Sequence, residues 1–294
     1  MTAPVAGASP VSTSGGGPTF AVAFGGGGAR GLAHIHVIEV LDELGIRPVA
    51  ISGSSIGAIM GAGMASGMSG AEIHDHARSL LGDGSSLASR MWRLRPTNLR
   101  QAVGGLRMTQ FNIERILRAM LPPQIPEDFA ELKIPLKVTA TDFFGHSLVV
   151  NEEGDLYTAL AASAAIPALF KPIRRDGRLL IDGGIYDPVP YDLLMHLADI
   201  VIAIDVVGGP HGRSSRNPNS IDLMLGASQL MMQSIIANKL TRQRPAIFLR
   251  PPVSGFRVLD FLKIEAVMRE SEPIRDELKQ AIDAAVKKVE MAEA

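Results

Sequence analysis

Short apolar runs alternate with stretches of helical periodicity along this chain. Residues 19–24 (Thr-Phe-Ala-Val-Ala-Phe) form the first run, 49–51 (Val-Ala-Ile) the second, and 200–207 (Ile-Val-Ile-Ala-Ile-Asp-Val-Val) the most strongly buried-looking. Runs of this length, rich in β-branched and aromatic residues, predict buried strands. Between them Leu32, Ile35, Ile38, Leu41 and Leu44 recur at helical spacing and Gly45 follows, which predicts a helix with a glycine stop. Helices are also predicted over 58–68, where nearly every residue is small, and over 71–81, 111–121, 157–165, 221–240 and 272–289, with Pro122-Pro123 ending the 111–121 helix. Residues 136–141 and 147–151 flank the turn Asp142-Phe143-Phe144-Gly145 and read as a hairpin. A strand pair is expected around 175–181, and a last strand at 246–249. The dominant βα alternation implies an α/β fold with a mainly parallel sheet covered by helices on both sides.

Two strand ends carry candidate chemistry. The run at 49–51 leads into Gly53-Ser54-Ser55-Ile56-Gly57 and then into the small-residue helix. That is G-x-S-x-G at a strand-to-helix turn, where a serine stands exposed on a sharp bend and glycines on either side remove clashing Cβ atoms. Taken alone, the same residues also describe a tight turn with a capping serine. The run at 19–24 leads into Gly25-Gly26-Gly27-Gly28-Ala29-Arg30-Gly31. A dinucleotide site would need an acidic residue at the end of the next strand, and a phosphate loop would need Gly-Lys-Ser/Thr; neither is present. The reading that fits is an oxyanion hole, in which consecutive glycine N–H groups converge on one point. Asp182 follows the apolar run 179–181 and precedes Gly183-Gly184, so it either caps an Asx-type turn or is a site residue at a strand's carboxyl end.

Composition narrows the picture. In 294 residues a net charge of −1 offers no global case for nucleic acid, and the absence of cysteine removes disulfides and thiolate metal sites. No metal and no cofactor is expected. No run of about twenty apolar residues suggests a membrane span. The small, polar residues 1–18 read as a disordered tail, without the basic and apolar regions of a signal peptide. Residues 19–294 read as one domain, with a cap or insertion at about 83–125. Arg90, Arg93, Arg95, Arg100 and Arg107 surround Trp92 there, either as a solvated insertion or as a mobile cap that touches anionic lipid headgroups. His34 and His36, and likewise His74 and His76, are two apart and so face different sides of their helices. The first pair is expected in packing or at the surface, the second facing solvent. Most of the thirteen methionines read as adaptable core filler.

Together these residues resemble the patatin-like phospholipases, near the bacterial members and the catalytic domain of neuropathy target esterase. The resemblance rests on Gly26-Gly27-Gly28-Ala29-Arg30-Gly31, on Gly53-Ser54-Ser55-Ile56-Gly57, on Ala161-Ala162-Ser163-Ala164-Ala165-Ile166-Pro167 with Phe170, and on Asp182-Gly183-Gly184, in that order. It implies a three-layer α/β/α fold and a Ser–Asp dyad. Ser55 would be the nucleophile and Asp182 its base. Gly26, Gly27 and Gly28 would form the oxyanion hole with Arg30 bordering it, Gly53 and Gly57 would shape the elbow, and Gly183 and Gly184 would support Asp182. The implied substrate is a lipid or other ester, met in the cytoplasm or in transient contact with a membrane surface. The chain departs from plant patatins, which usually carry Asp where Phe24 or Gly25 stands. A His-dependent esterase or acyltransferase using His196 or His211 is the alternative enzyme. A non-catalytic lipid- or nucleotide-binding protein is the alternative outside enzymes. The sequence sets no oligomeric state.

Overall fold

The computed structural model describes residues 17–82, 110–210 and 219–293. The arginines and Trp92 of the expected cap, the tail 1–16 and His211 lie outside these residues.

Eight strands form one sheet: β1 Phe20–Phe24, β2 Ala50–Ser54, β3 Leu136–Asp142, β4 Ser147–Asn151, β5 Ile173–Arg175, β6 Arg178–Asp182, β7 Ile200–Ile204 and β8 Ile247–Leu249. Their order is β5-β6-β3-β2-β1-β7-β8, with β4 paired to β3 off this path. The central pairs β3–β2, β2–β1, β1–β7 and β7–β8 are parallel. The pairs made by β4, β5 and β6 are antiparallel, so the parallel core carries an antiparallel margin.

The alternation in β1 decides what lies on each face. Phe20, Val22 and Phe24 point into the larger core, under a thick helical layer. Each such side chain contributes roughly 1.5–3 kcal/mol when fully buried. Ala21 and Ala23 point the other way, where their small size lets the 3-10 turn Tyr191–Leu194 and one long helix sit close. The helices are α1 His34–Glu43, α2 Ile56–Ala65, α3 Gly70–Leu81, α4 Ile113–Met120, α5 Leu156–Ser163, α6 Ser220–Arg242, α7 Ile264–Ser271 and α8 Ile274–Glu293. The small-residue helix α2 is buried along its whole length apart from the partly covered Ile59, and Gly61 packs against Ile51 and Leu136 of the sheet. Ser69 and Glu72 form a reciprocal cap on α3, and Asn112 caps α4.

The closing helix expected over 272–289 is α8; α7, which precedes it, was not expected, and Pro273 divides the two because proline supplies no N–H and clashes with the preceding turn. One expectation is corrected. His74 and His76 do not face solvent freely. Both are half-buried: His74 lies against Glu39 at 3.7 Å, and His76 Nε2–H donates to the Met120 carbonyl at 2.8 Å.

Candidate active site

Ser55 is the single residue between β2 and α2, with φ 54° and ψ −124°. A non-glycine residue in that region carries about 1–3 kcal/mol of backbone strain, which the surrounding packing must enforce. The enforcing contacts are close. A Cβ on Gly57 would lie 2.1 Å from the Phe24 carbonyl oxygen, and one on Gly53 would lie 2.5 Å from Ala58 Cα. Only glycine permits the elbow to press this tightly on β1. The Ser55 N–H donates to Ser163 Oγ at 2.8 Å, which ties the bend to the end of α5.

Asp182 arrives from the opposite direction. On one edge of β3, Ser54 pairs with Thr139 in parallel register, and the next residue, Ala140, pairs with Asp182 in antiparallel register. The other edge of β3 is taken by β4 over the same span. β2 and β6 therefore meet end to end along one edge, and their carboxyl ends deliver Ser55 and Asp182 to one place. Two threonines of β3 hold the junction: Thr139 Oγ1 donates to the Gly53 carbonyl at 3.2 Å, and Thr141 Oγ1 donates to the Asp182 carbonyl at 2.9 Å. Gly183 is pressed against Thr139, where a Cβ would lie 2.3 Å from the carbonyl oxygen.

The Asp182 side chain is buried. Its Oδ1 accepts the Gly184 N–H at 2.8 Å, and its Oδ2 has no hydrogen-bond partner among the described residues. Burial pushes the carboxyl up to about 6, opposed by the neighbouring Ser55 hydroxyl and by the Gly184 N–H. Ser55 and Asp182 line one pocket of about 60 Å³ together with Gly26, Gly27, Gly28 and Gly184. Its far wall is α6, through Leu225, Ser228, Gln229 and Met232 at helical spacing.

The glycine loop divides its amides. Gly26 lines the pocket, but its N–H donates to the Pro188 carbonyl at 2.9 Å. Among the described residues the N–H groups of Gly27 and Gly28 have no such partner, so two of the three expected glycines keep a free amide. Gly28 has φ +61° and stands against Val258, where a side chain would be both strained and obstructed. Arg30 is buried and does not line the pocket. Its guanidinium donates to the Val207 carbonyl and faces the Gln229 amide, so it braces the segment after β7 against α6. Burial lowers it to about 10, partly offset by Asp205 and Asp260. His34 is fully buried and held neutral by that burial, near 4; its Nε2–H donates to the Gly25 carbonyl at 2.8 Å, supporting the loop from beneath.

Sequence reading overlooked Thr139, Thr141 and the amide-orienting role of Ser163. Their signal was present as polar residues at period two inside a buried strand, and as a serine within an alanine run. Among the described residues no histidine lines the pocket. His196 is exposed just before β7, at the end of the sheet opposite the carboxyl ends where Ser55 and Asp182 stand. Among the described residues no group of three His, Asp or Glu side chains is placed to hold a metal ion.

A mostly parallel α/β sheet with a strained serine elbow, a glycine loop and a buried aspartate at its carboxyl ends defines a serine-hydrolase type of site. The family described as patatin-like phospholipase matches residues 22–195, which is more than half of the chain, and the protein belongs to that family. It is 39% identical over 196 residues to an NTE family protein of Mycobacterium tuberculosis, a match that covers 66% of this chain and 51% of that one. It is 26% identical over 280 residues to lysophospholipase NTE1 of Meyerozyma guilliermondii, covering 86% of this chain and 19% of the relative. The chain thus spans about half the length or less of these relatives. Among solved structures it is similar to VipD from Legionella pneumophila, at 14% identity and a TM-score of 0.41, over 87% of this chain and 67% of that one.

Proposed function

We propose that this protein is a lipid acyl hydrolase working through a Ser55–Asp182 dyad. The observation that carries this is the end-to-end meeting of β2 and β6, which brings a buried carboxyl and a strained serine into one pocket. Asp182 Oδ2 takes the Ser55 proton as Ser55 Oγ attacks the ester carbonyl. The Gly27 and Gly28 N–H groups stabilise the oxyanion; one such donor is worth roughly 3 kcal/mol in comparable sites. The tetrahedral intermediate collapses to an acyl-enzyme, and Asp182 returns the proton to the departing alcohol. Water, deprotonated by Asp182, then releases the carboxylic acid and restores Ser55. A carboxyl raised to about 6 is a better base than an ordinary aspartate and is still ionised at neutral pH. The lysophospholipase relative supports a lipid ester as substrate.

Contact with a lipid surface belongs to the same reading. Leu223, Met224, Leu230 and Met231 are exposed on the face of α6 turned away from the pocket it walls, and no charged residue lies between Asp222 and Lys239. Among the described residues no helix is long and apolar enough to cross a membrane.

Labelling by a fluorophosphonate probe tests the proposal. The parent should be labelled at Ser55 and turn over an acyl ester, and Ser55→Ala and Asp182→Asn should each lose turnover. An Asp182→Asn protein with parental turnover would remove the dyad; loss of turnover in a His196→Ala or His211→Ala protein would favour the triad alternative.

A further inference from the structure

The antiparallel margin of the sheet projects past the site. β2 ends where Ser54 pairs with Thr139, but β3 continues to Asp142 and turns through residues 143–146 into β4, whose Ser147 pairs with Asp142. Phe143 is four residues beyond Thr139, about 13 Å further along the strand direction. β5 and β6 run out beside it. The Phe143 N–H donates to the Leu179 carbonyl at 2.9 Å, Leu179 pairs with Arg174, and Arg178 pairs with Arg175 before the turn at Asp176-Gly177. Two hairpin tips therefore stand side by side, at the end of the sheet where Ser55 lies and beyond it.

The first tip departs from the usual chemistry of turns, which favours Asn, Asp, Gly and Ser. It carries two adjacent phenylalanines. Phe143 is 51% exposed and Phe144 71%, so neither belongs to the core. Their rings meet edge to face with centroids 5.0 Å apart, which makes them one apolar wedge. Exposed apolar residues scattered singly need no explanation, but a contiguous pair at the end of a projecting hairpin does. The turn beneath them is held in shape. Asp142 Oδ1 accepts the Phe144 N–H at 3.2 Å and the Gly145 N–H at 2.9 Å, and His146 takes a left-handed φ of 50° that closes the loop. The second tip supplies charge. Arg174 and Arg178 are exposed. Of the two carboxylates beside them, the buried Asp142 spends Oδ1 on the turn and holds Oδ2 3.8 Å from Arg178 Nε, and Asp176 pairs with Arg175 at 3.6 Å. Three arginines against two carboxylates leave the paired tips cationic.

We propose, deepening the lipid-surface part of the reading above, that Phe143 and Phe144 with Arg174 and Arg178 dock the protein on an anionic lipid surface and turn the Ser55 end of the sheet toward it. The rings enter the boundary between headgroups and acyl chains, and the guanidinium groups stay among the phosphates. A protein partner asks for a broad, closely fitting patch, whereas two rings on a narrow tip suit a fluid surface that closes around them. The tip and the exposed face of α6 are separate elements, so substitutions tell them apart.

The test is sedimentation with phosphatidylcholine vesicles, with and without phosphatidylglycerol, on the Ser55→Ala protein, which leaves the lipid intact. Binding should be strong only where phosphatidylglycerol is present. Adding Phe143→Ser with Phe144→Ser should weaken it by more than about tenfold, the scale of two apolar side chains withdrawn from lipid. Adding Arg174→Gln with Arg178→Gln should remove the preference for the anionic vesicle. Made on the parent, both pairs should leave hydrolysis of soluble p-nitrophenyl butyrate unchanged, since none of the four residues lines the Ser55 pocket. Phe144→Trp in a Trp92→Phe background gives a local readout: its indole emission should shift to the blue on anionic vesicles and be quenched by brominated acyl chains. Vesicle binding unchanged by the phenylalanine pair, or an indole that stays in water, would overturn the proposal. Binding lost instead in Leu230→Ser with Met231→Ser would also overturn it, moving the docking to α6 and leaving the lipid reading in place. A parent without ester hydrolysis, whose Ser55→Ala form still needs the phenylalanines to bind vesicles, would remove the hydrolase and keep the docking tip.

Discussion

Asp182 and Asp187 stand five residues apart, both almost wholly buried and both pushed above the ordinary carboxylate range, yet their surroundings could hardly differ more. Asp187 is desolvated, and its Oδ1 accepts Lys239 Nζ at 2.6 Å. The same ammonium reaches Asp192 Oδ1 at 2.5 Å and the Val189 carbonyl at 3.0 Å, and stands 4.7 Å from the centre of the Tyr191 ring. Attraction to Lys239 lowers Asp187, while the second carboxylate, Asp192, raises it again. Among the described residues Asp182 faces no cation; burial raises it, against a hydroxyl and one amide. Both carboxyls are thus raised, by two routes. Access separates them: Asp182 keeps one oxygen unpartnered among the described residues, whereas Asp187 is tied into a clip.

The clip nevertheless serves the site. The Asp187 N–H donates to the Gly183 carbonyl, and the neighbouring Pro188 carbonyl accepts the Gly26 N–H, both at 2.9 Å. One anchored turn thus holds the Asp182 loop and the glycine loop against each other. It also explains why Gly26 has no amide left for an oxyanion.

The contrast breaks or sharpens in four measurements. The largest effect is on turnover. Asp182→Asn should lower kcat by about 10³–10⁴, as removal of an essential proton acceptor does, while Asp187→Asn should keep a readily measured rate. Equal losses in ester hydrolysis would erase the distinction. Next is stability. Lys239→Met leaves the Asp187 charge buried without its partner and should cost about 3–5 kcal/mol in urea unfolding at pH 8, and adding Asp187→Asn should restore much of it.

Third, Asp182→Asn should stabilise the protein while inactivating it. The folded-state value, about 6, lies above the ordinary aspartate value of 3.8, so the folded protein holds a proton that the unfolded chain releases between those two values. Its contribution to stability falls as pH rises through that window and is fully lost above it. Removing the charge should therefore give about 3 kcal/mol at pH 8 and almost nothing at pH 3, read from unfolding curves at the two pH values. An Asp182→Asn protein no more stable than the parent at pH 8 would mean that the buried charge carries little penalty. Fourth, the pH dependence of kcat/KM should show an acidic limb near 6, falling about tenfold per unit below it. A profile flat down to the ordinary aspartate range would take the raised carboxyl out of the mechanism.

Much of this was legible in the residues themselves. The alternation of β1, the glycine-flanked serine, the alanine-rich α2 and the glycine stop after α1 are local matters, set by side-chain volume, backbone freedom and capping within a few positions. Ser55 and Asp182 could be named because each follows an apolar run and is flanked by glycine. What the chain order left open was how they meet. A mainly parallel sheet was the expectation, and it holds at the centre. The decisive strand, β6, runs the other way, because it lies end to end with β2 along a single edge of β3.

The remaining features needed the tertiary structure for the same reason. Asp187 and Lys239 pair across 52 positions, and no periodicity connects them. His76 illustrates this on a single residue: its spacing pointed to solvent, and its partner proved to be the carbonyl that ends α4. The sequence by itself determined which residues stand at the strand ends and which local shapes they adopt. Only the tertiary structure decided which strand ends face one another, which amides stay free and where space is left empty, because these depend on contacts between segments far apart in the chain.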